Sequence, residues 1–378
     1  MKREEAVLCE RQKEVKQLEE TKAGVKGLVD SGVAKLPTIF VHSLHTNSAK
    51  EDNSCHGINQ PQVPVIDLHG LADHDDEMMD KNKLRKEMVK ELKEAAEKWG
   101  VFQIINHGVP LDVLHDMLEG GRRFHEQHQE LKKDWYSRDY TRKAIFYTNA
   151  QFTAQVPVDW RDTLRCGDLQ KPDHDESIPH VCRREICHYS KHLLLLRQLM
   201  SELLSEALGL DSDYMARLGC LNSMNLLCQY YPVCPQPHLT LGTAEHSDTS
   251  FMTMLLQDTT GGLQVLHDDH NEWVDVKLVC GALIVIIGDL MQLISNDKMK
   301  SVKHRVLATQ GDTARVSVAC FFDSDDKLKP YGPIKETVTE DDPPRYKQTS
   351  YLEYSAHYYS VKGFIGSPTL PHFKTNII

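Results

Sequence analysis

The 378-residue chain contains 20 histidines, and the pattern His-x-Asp occurs three times, at His74/Asp76, His246/Asp248 and His267/Asp269. Chance pairs are expected at that histidine content. His74 and His267 sit in polar, acidic, loop-like stretches. His246/Asp248 differs, because it precedes an apolar strand-like run and is followed by an isolated His304 and then by Arg315-Val316-Ser317. In extended chain, residues i and i+2 point the same way, so His246 and Asp248 can converge on one ion. His304 would come from a facing strand. Two imidazoles and one carboxylate on one side of a metal leave three positions open, which is the facial arrangement used in non-haem Fe(II) chemistry with dioxygen. Those positions would hold a bidentate 2-oxo acid and then dioxygen. The second carboxylate of such a co-substrate needs an anchor away from the metal, and a guanidinium fork with a neighbouring hydroxyl suits it. Arg315 and Ser317 share a face of the predicted last strand, and Arg-x-Ser occurs once in the chain.

The elements that must position these residues follow from periodicity. Residues 3–30 read as one charged helix closed near Gly32, with Pro37 preventing its resumption. Residues 45–62 read as a loop, 63–68 as a short strand, and Asp73 to Lys83 as a solvated charged face. Leu84, Met88, Leu92, Ala95, Ala96 and Trp99 recur at helical spacing up to Gly100, and 101–106 follow as a strand. Residues 183–208 form a second strong helix, capped by Gly209. From residue 222 the pattern changes to short strands at 223–231, 251–256, 262–266, 272–276, 282–287 and 315–322, separated by Gly, Pro and Asp turns. That alternation predicts an antiparallel barrel or jelly roll.

The organisation expected is an N-terminal helical extension and loop over 1–60, an N-terminal domain over 61–180 and a connecting helix over 181–222. A jelly-roll core over 223–325 and a C-terminal segment over 326–378 complete it. Lys plus Arg is 44 against 55 Asp plus Glu, a net charge of −11. An acidic surface disfavours non-specific binding to nucleic acid or anionic membrane. No apolar run approaches the roughly 18 residues of a spanning helix. The N-terminus lacks the apolar core of a signal peptide, and ten cysteines without a CxxC read as reduced thiols. The expectation is a cytoplasmic monomer acting on a small molecule, with neither nucleic acid nor membrane as partner.

Val63-Pro-Val-Ile-Asp-Leu68, Trp99-Gly-Val-Phe-Gln-Ile-Ile-Asn-His-Gly108, Gln229-Tyr-Tyr-Pro-Val-Cys-Pro-Gln-Pro237, Gly261-Gly-Leu-Gln-Val265 and Ile287-Gly-Asp289 add a resemblance over most of the chain. With them the sequence resembles the plant 2-oxoglutarate- and Fe(II)-dependent dioxygenases. Lys22-Ala-Gly-Val-Lys-Gly-Leu-Val-Asp-Ser-Gly32 and Asp159-Trp-Arg-Asp-Thr-Leu164 are similar to the subgroup of aminocyclopropanecarboxylate oxidase homologues, which includes benzoxazinone glucoside hydroxylases. The resemblance implies a mainly β fold with flanking helices, a distorted double-stranded β-helix (jelly roll) at its core. It implies that His246, Asp248 and His304 bind iron and that Tyr231, Arg315 and Ser317 hold the distal carboxylate of 2-oxoglutarate. The implied reaction consumes 2-oxoglutarate and dioxygen, releases succinate and carbon dioxide, and hydroxylates or desaturates a small plant specialised metabolite, with ascorbate as a reductant.

Two other readings stand beside it: an ascorbate-dependent enzyme of the aminocyclopropanecarboxylate oxidase type, and a catalytically silent small-molecule binder on the same fold. One departure is that the family usually has Asn where this chain has Gln229. Strand parity puts Leu227 and Phe321 beside the site as an apolar wall. Tyr147 and Phe152, with Phe146 and Trp160, are candidate aromatic cover from the helical half.

Overall fold

The structure is a computed structural model that describes residues 2–42, 61–71, 81–150, 152, 156–170, 175–267, 271–360 and 369–375. Helices α1 (Lys2–Thr21) and α2 (Gly24–Asp30) open the chain. Strands β1 (Val65–Asp67) and β2 (Val101–Ile105) flank α3 (Lys81–Lys98). Then come α4 (Leu111–Glu126), α5 (Gln129–Lys132) and the strands β3 (Ala144–Tyr147) and β4 (Asp162–Cys166). The long α6 (His180–Ala207) and short α7 (Tyr214–Leu218) precede β5 (Ser223–Tyr231), β6 (Leu241–His246), β7 (Met252–Gln257), β8 (Leu263–His267), β9 (Glu272–Asp275) and β10 (Leu283–Ile287). Helix α8 (Asp289–Ile294) leads to β11 (His304–Leu307) and β12 (Arg315–Asp323), and the ribbon β13 (Pro330–Tyr331) and β14 (Thr349–Ser350) runs into α9 (Tyr351–Tyr358).

Two sheets make the core. The larger has eight strands in the order β1-β2-β10-β7-β12-β5-β4-β3, and the smaller has four in the order β6-β11-β8-β9. Together they form the distorted double-stranded β-helix, with helices on the outer side of the large sheet. Strand β10 shows how this is encoded. Leu283, Val285 and Ile287 join the cluster with helical residues such as Leu92, Met117 and Leu196. Ile284 and Ile286 join the cluster with Val265 and Val306 of the small sheet. A strand buried on both faces must read as an unbroken apolar run, as Leu283–Ile287 does.

Three expectations are corrected. The first half is not only helical buttress: β1 and β2 extend one edge of the large sheet and β3 and β4 the other. The sequence pattern predicts strands at 63–68 and 101–106 but not at β3 and β4. Residues 3–30 are two helices rather than one, broken where Lys22 (φ +52°) and Gly24 (φ +70°) turn left-handed. The Asp162 carboxylate accepts the N–H groups of Val25 and Lys26 at 2.8 Å each, and a Cβ at position 24 would collide with it. Finally, β6 and β11, which end and begin with the metal-ligand candidates, are strands that the sequence pattern did not reveal.

Asp162 ties the N-terminal helices to the sheet, and burial raises its carboxyl from the ordinary 3.8 to about 6. A carboxyl raised on folding contributes stability at low pH that is lost as the pH climbs from about 4 to about 6. Asp162→Asn removes that titration and one acceptor. The variant is expected to melt below the wild type, with a deficit that narrows between pH 4 and pH 6.5. A deficit that widens over this range in paired thermal melts would contradict the assignment.

Candidate metal centre

His246 and His304 face each other directly in the β6–β11 ladder, so register alone brings the two rings together. Their centroids lie 4.2 Å apart. Asp248 comes from the turn after β6, with its Oδ1 3.6 Å from His246 Nε2 and 3.7 Å from His304 Nε2. The three ligand atoms lie within 4.8 Å of one another, and this is the single such group of three or more among the described residues. His74, Asp76 and Asp269 lie outside the described residues. His267 closes β8 rather than sitting in a loop, with its ring edge-on to Trp99 at 4.5 Å.

The surrounding groups aim the ligands. The Nδ1 of His246 faces the Ala244 carbonyl at 2.9 Å, and that of His304 faces the Val302 carbonyl at 3.3 Å. An Nδ1–H donated there fixes the tautomer and leaves each Nε2 lone pair pointing at Asp248. Burial, with His304 alongside, pushes His246 down to about 3, so its ring stays neutral and ready to bind a cation. Asp248 is 3% exposed, and its second oxygen accepts from the Thr253 hydroxyl at 2.6 Å. A buried carboxylate flanked by two imidazoles, with no Lys or Arg among the described side chains ion-paired to it, fits a divalent metal.

The turn bearing Asp248 is held from behind by the Ile287-Gly-Asp289 segment. Asp289 N–H donates to the Asp248 carbonyl at 2.7 Å and Gly288 N–H to the Phe251 carbonyl at 3.1 Å. The Asp289 carboxylate accepts from Ser247 at 3.0 Å and from Tyr354 of α9 at 2.7 Å. A Cβ on Gly288 would strike the Ser250 carbonyl oxygen, so the segment can approach only with no side chain there. Gly288→Ala is expected to push the turn outward and weaken Fe(II) binding by about 10- to 100-fold, the range for loss of outer support at a metal site. Iron titration of the purified variant checks this, and unchanged affinity would mean the turn has slack.

Thr253 marks the register at which the metal ligands meet the large sheet. It pairs with Phe321 of β12, which pairs with Asn225 of β5. Arg315, Ser317, Ala319 and Phe321 therefore share the face that carries Asp248's partner, and Tyr231, Gln229 and Leu227 continue it. Exposure alternates along β5: Asn225, Leu227 and Gln229 are half-buried, while Met224, Leu226 and Cys228 are fully buried. The metal-side face is thus the open one.

At one end of this face stands Arg315, 1% exposed. Its Nε donates to the Gly261 carbonyl at 2.6 Å, Nη1 to Ser317 Oγ at 3.0 Å and Nη2 to Gln257 Oε1 at 2.8 Å, and its guanidinium lies 4.8 Å over the Tyr231 ring. Every one of these partners is neutral. A buried cation is costly unless an anion joins it, so the arrangement is an anion site. Gln229, whose role the sequence left open, accepts from the Tyr231 hydroxyl at 2.9 Å and from Ser317 at 3.4 Å.

The sequence also missed Gln257, Thr253 and Arg161. Arg161 donates to Thr243 Oγ1 at 2.8 Å, and Thr243 lies 3.3 Å from the Tyr231 hydroxyl. Register parity would have found Gln257, which pairs with Ser317. Of the predicted aromatic cover, Tyr147 lies on the open face, two strand pairings from Gln229. Phe146 points the other way, into the helical core against Phe124. Phe152 and Trp160 belong to the cluster around the N-terminal helices, where Trp160 packs edge-on to Phe40 at 4.9 Å. The placement of Trp160 corrects the expectation that it covers the site, while Phe152 is half-buried and shares the Arg138 guanidinium with Tyr147.

Residues 222–324 match the 2OG-Fe(II) oxygenase superfamily, and residues 63–185 match the N-terminal region described as non-haem dioxygenase in morphine synthesis. The chain belongs to the 2OG-Fe(II) oxygenase superfamily, and its class is that of a 2-oxoglutarate-dependent dioxygenase. It is 46% identical to 1-aminocyclopropane-1-carboxylate oxidase homolog 2 of Arabidopsis thaliana, over 97% of each chain. It is 45% identical to homolog 3 of the same plant, over 97% of this chain and 98% of that one. Among solved structures, JOX2 in complex with 2OG, Fe and JA superposes with a TM-score of 0.76 at 29% identity, covering 93% of this chain and 97% of JOX2. The rice dioxygenase for auxin oxidation shares the fold, with a TM-score of 0.66 at 23% identity over 83% of this chain and 100% of its own. No described helix is long and apolar enough to cross a membrane.

Proposed function

We propose that the chain hydroxylates or desaturates a small plant specialised metabolite, with His246, Asp248 and His304 as the Fe(II) ligands and Tyr231, Arg315 and Ser317 as the seat of the 2-oxoglutarate distal carboxylate. The observation that carries this reading is Arg315: a fully buried guanidinium whose described partners are all neutral, on the same sheet face as the His-Asp-His cluster. Fe(II), when bound, supplies the oxidative decarboxylation of 2-oxoglutarate and the activation of dioxygen. The protein's own part is binding and orientation. Arg315 offers the carboxylate a fork fixed by Gly261 and Gln257, Ser317 and Tyr231 would turn to it the hydroxyl protons they give to Gln229, and the two imidazoles are locked in one tautomer. Leu227, Phe321 and Tyr147 give the substrate side an apolar wall that keeps water scarce.

On this reading the protein works in the cytoplasm as a monomer, with ascorbate as auxiliary reductant. The test is succinate release by the purified chain supplied with Fe(II) and a pool of plant metabolites, with and without 2-oxoglutarate. Product formation that needs ascorbate and ignores 2-oxoglutarate would instead mark an oxidase of the aminocyclopropanecarboxylate type. Metabolite binding without succinate release would mark a silent binder.

A further inference from the structure

Beyond Leu227 and Phe321, the open face of the large sheet ends in a group of charges that the metal and 2-oxoglutarate sites do not use. Arg165 of β4 pairs in register with Leu227, which places it on that face. Its Nη2 donates to Asn225 Oδ1 at 3.0 Å, while its Nη1 is buried with no hydrogen-bond partner. The guanidinium also lies 5.8 Å over the Tyr140 ring. No carboxylate of the described residues comes within ion-pairing distance of it.

Lys327 adds a second cation. Its Nζ is buried without a hydrogen-bond partner and stands 4.2 Å over the Tyr351 ring. Arg165 and Asp323 both act on its charge. Asp323 ends β12 on the same face as Phe321 and is 1% exposed, with Oδ1 unpartnered. Burial raises its carboxyl to about 7, so near neutral pH it carries only part of a negative charge. Burial lowers Lys327 as well, so Lys327 and Asp323 shift toward their neutral forms together and the Arg165 guanidinium is the excess cation; both basic side chains keep a buried donor unsatisfied. A buried donor left without an acceptor costs free energy, so natural proteins rarely retain two side by side unless a ligand completes them.

The position fits a substrate rather than an ornament of the core. Thr253, Phe321 and Asn225 lie in one row across β7, β12 and β5, and Arg165 stands on the next strand. Three inter-strand steps of about 4.8 Å, with an offset of two residues of about 3.4 Å each along the strand, separate the backbone beside the metal ligands from the backbone of Arg165, roughly 16 Å in all. An interval of that order is the length of a small organic molecule. The half-buried Leu227 and Phe321 floor that interval.

We propose that Arg165 and Lys327 receive a carboxylate of the substrate, so that the enzyme acts on a small organic acid whose apolar body lies across Leu227 and Phe321 with its far end at the metal centre. This rests on the proposed function above and specifies its substrate class. The fork of Arg165 supplies the free Nη1, Lys327 supplies a point charge, and Asn225 holds the fork in place.

The experiment uses the full chain with Fe(II), 2-oxoglutarate and ascorbate, and measures succinate release. The probes are phenylacetate, 3-phenylpropanoate, cinnamate and decanoate, each beside its methyl ester. Acids are expected to stimulate succinate release and esters to do so far less. Arg165→Gln is expected to reduce the acid-to-ester ratio of kcat/KM by about 30-fold or more, the scale for truncating a buried charge pair. Arg165→Lys should fall between, and Lys327→Met should lower the ratio in the same direction. A ratio taken within each variant is insensitive to how much of that variant folds.

Esters that stimulate as well as the acids, stimulation by none of the acids, or a ratio unchanged in Arg165→Gln overturns the inference while leaving the dioxygenase reading intact. Absence of succinate under every condition, including the substrate-free control, overturns that reading and this inference with it.

Discussion

Arg315→Ala is expected to raise the 2-oxoglutarate concentration needed for half-maximal succinate formation by about 30- to 5,000-fold, because truncating one partner of a buried, hydrogen-bonded charge pair costs about 2–5 kcal/mol. The guanidinium is 1% exposed and its described partners are a carbonyl, a hydroxyl and an amide. Removal of the side chain leaves Ser317 and Gln257 facing a hole where the co-substrate carboxylate belongs. Arg315→Lys keeps the charge and loses the fork, so its effect should be smaller but clear. Ser317→Ala removes one hydroxyl and should shift the requirement least. Fe(II) affinity should stay near the wild-type value in all three, since none of these side chains is a ligand. The measurement is 2-oxoglutarate dependence at saturating metabolite, beside an iron titration. An Arg315→Ala enzyme with ordinary 2-oxoglutarate dependence would place the anion elsewhere and reopen the ascorbate-dependent reading.

Asp248→Ala is expected to abolish turnover. The variant loses the only anionic ligand of the set and leaves two imidazoles 4.2 Å apart with nothing to balance a divalent charge. The loss of iron affinity should exceed the about 10- to 100-fold typical of removing an outer-shell partner. Thr253→Val supplies that comparison within the same site, because it deletes the 2.6 Å hydrogen bond to Asp248 without touching a ligand. His267→Ala serves as the control: it removes a contact with Trp99, and should cost some stability but no iron. Iron titration by a colorimetric chelator orders the four proteins. Hydroxylation by Asp248→Ala at the wild-type rate, or loss of iron from His267→Ala, would show that the wrong His-x-Asp pair had been chosen.

The difference between these two sites shows which properties were local. His246 and Asp248 are two residues apart, but Asp248 lies in the turn after β6 and is aimed by the Asp289 segment. Arg315 and Ser317 have the same spacing within β12, where extended chain fixes a shared face. The strands at 223–231, 282–287 and 315–322 were legible for the same reason, since each carries its periodicity within a few residues, and the helices before Gly100 and Gly209 carry theirs over many turns. Strands β4, β6 and β11 are interrupted by polar residues such as Asp162, Arg165, Glu245, His246 and His304, so no apolar run announced them.

By itself, then, the sequence determined the donor types, the jelly-roll class and the chemistry those donors permit. Tertiary structure decided the rest. The β6–β11 register set His304 opposite His246. Gly288 let the Asp289 segment lock the Asp248 turn. Packing against Phe40 sent Trp160 away from the pocket. Above all, the fold buried Arg315 and the Nη1 of Arg165 with no acid of the described residues in ion-pairing distance of either, and whether a cation lacks a partner depends on every surface brought near it, which no single stretch of chain encodes.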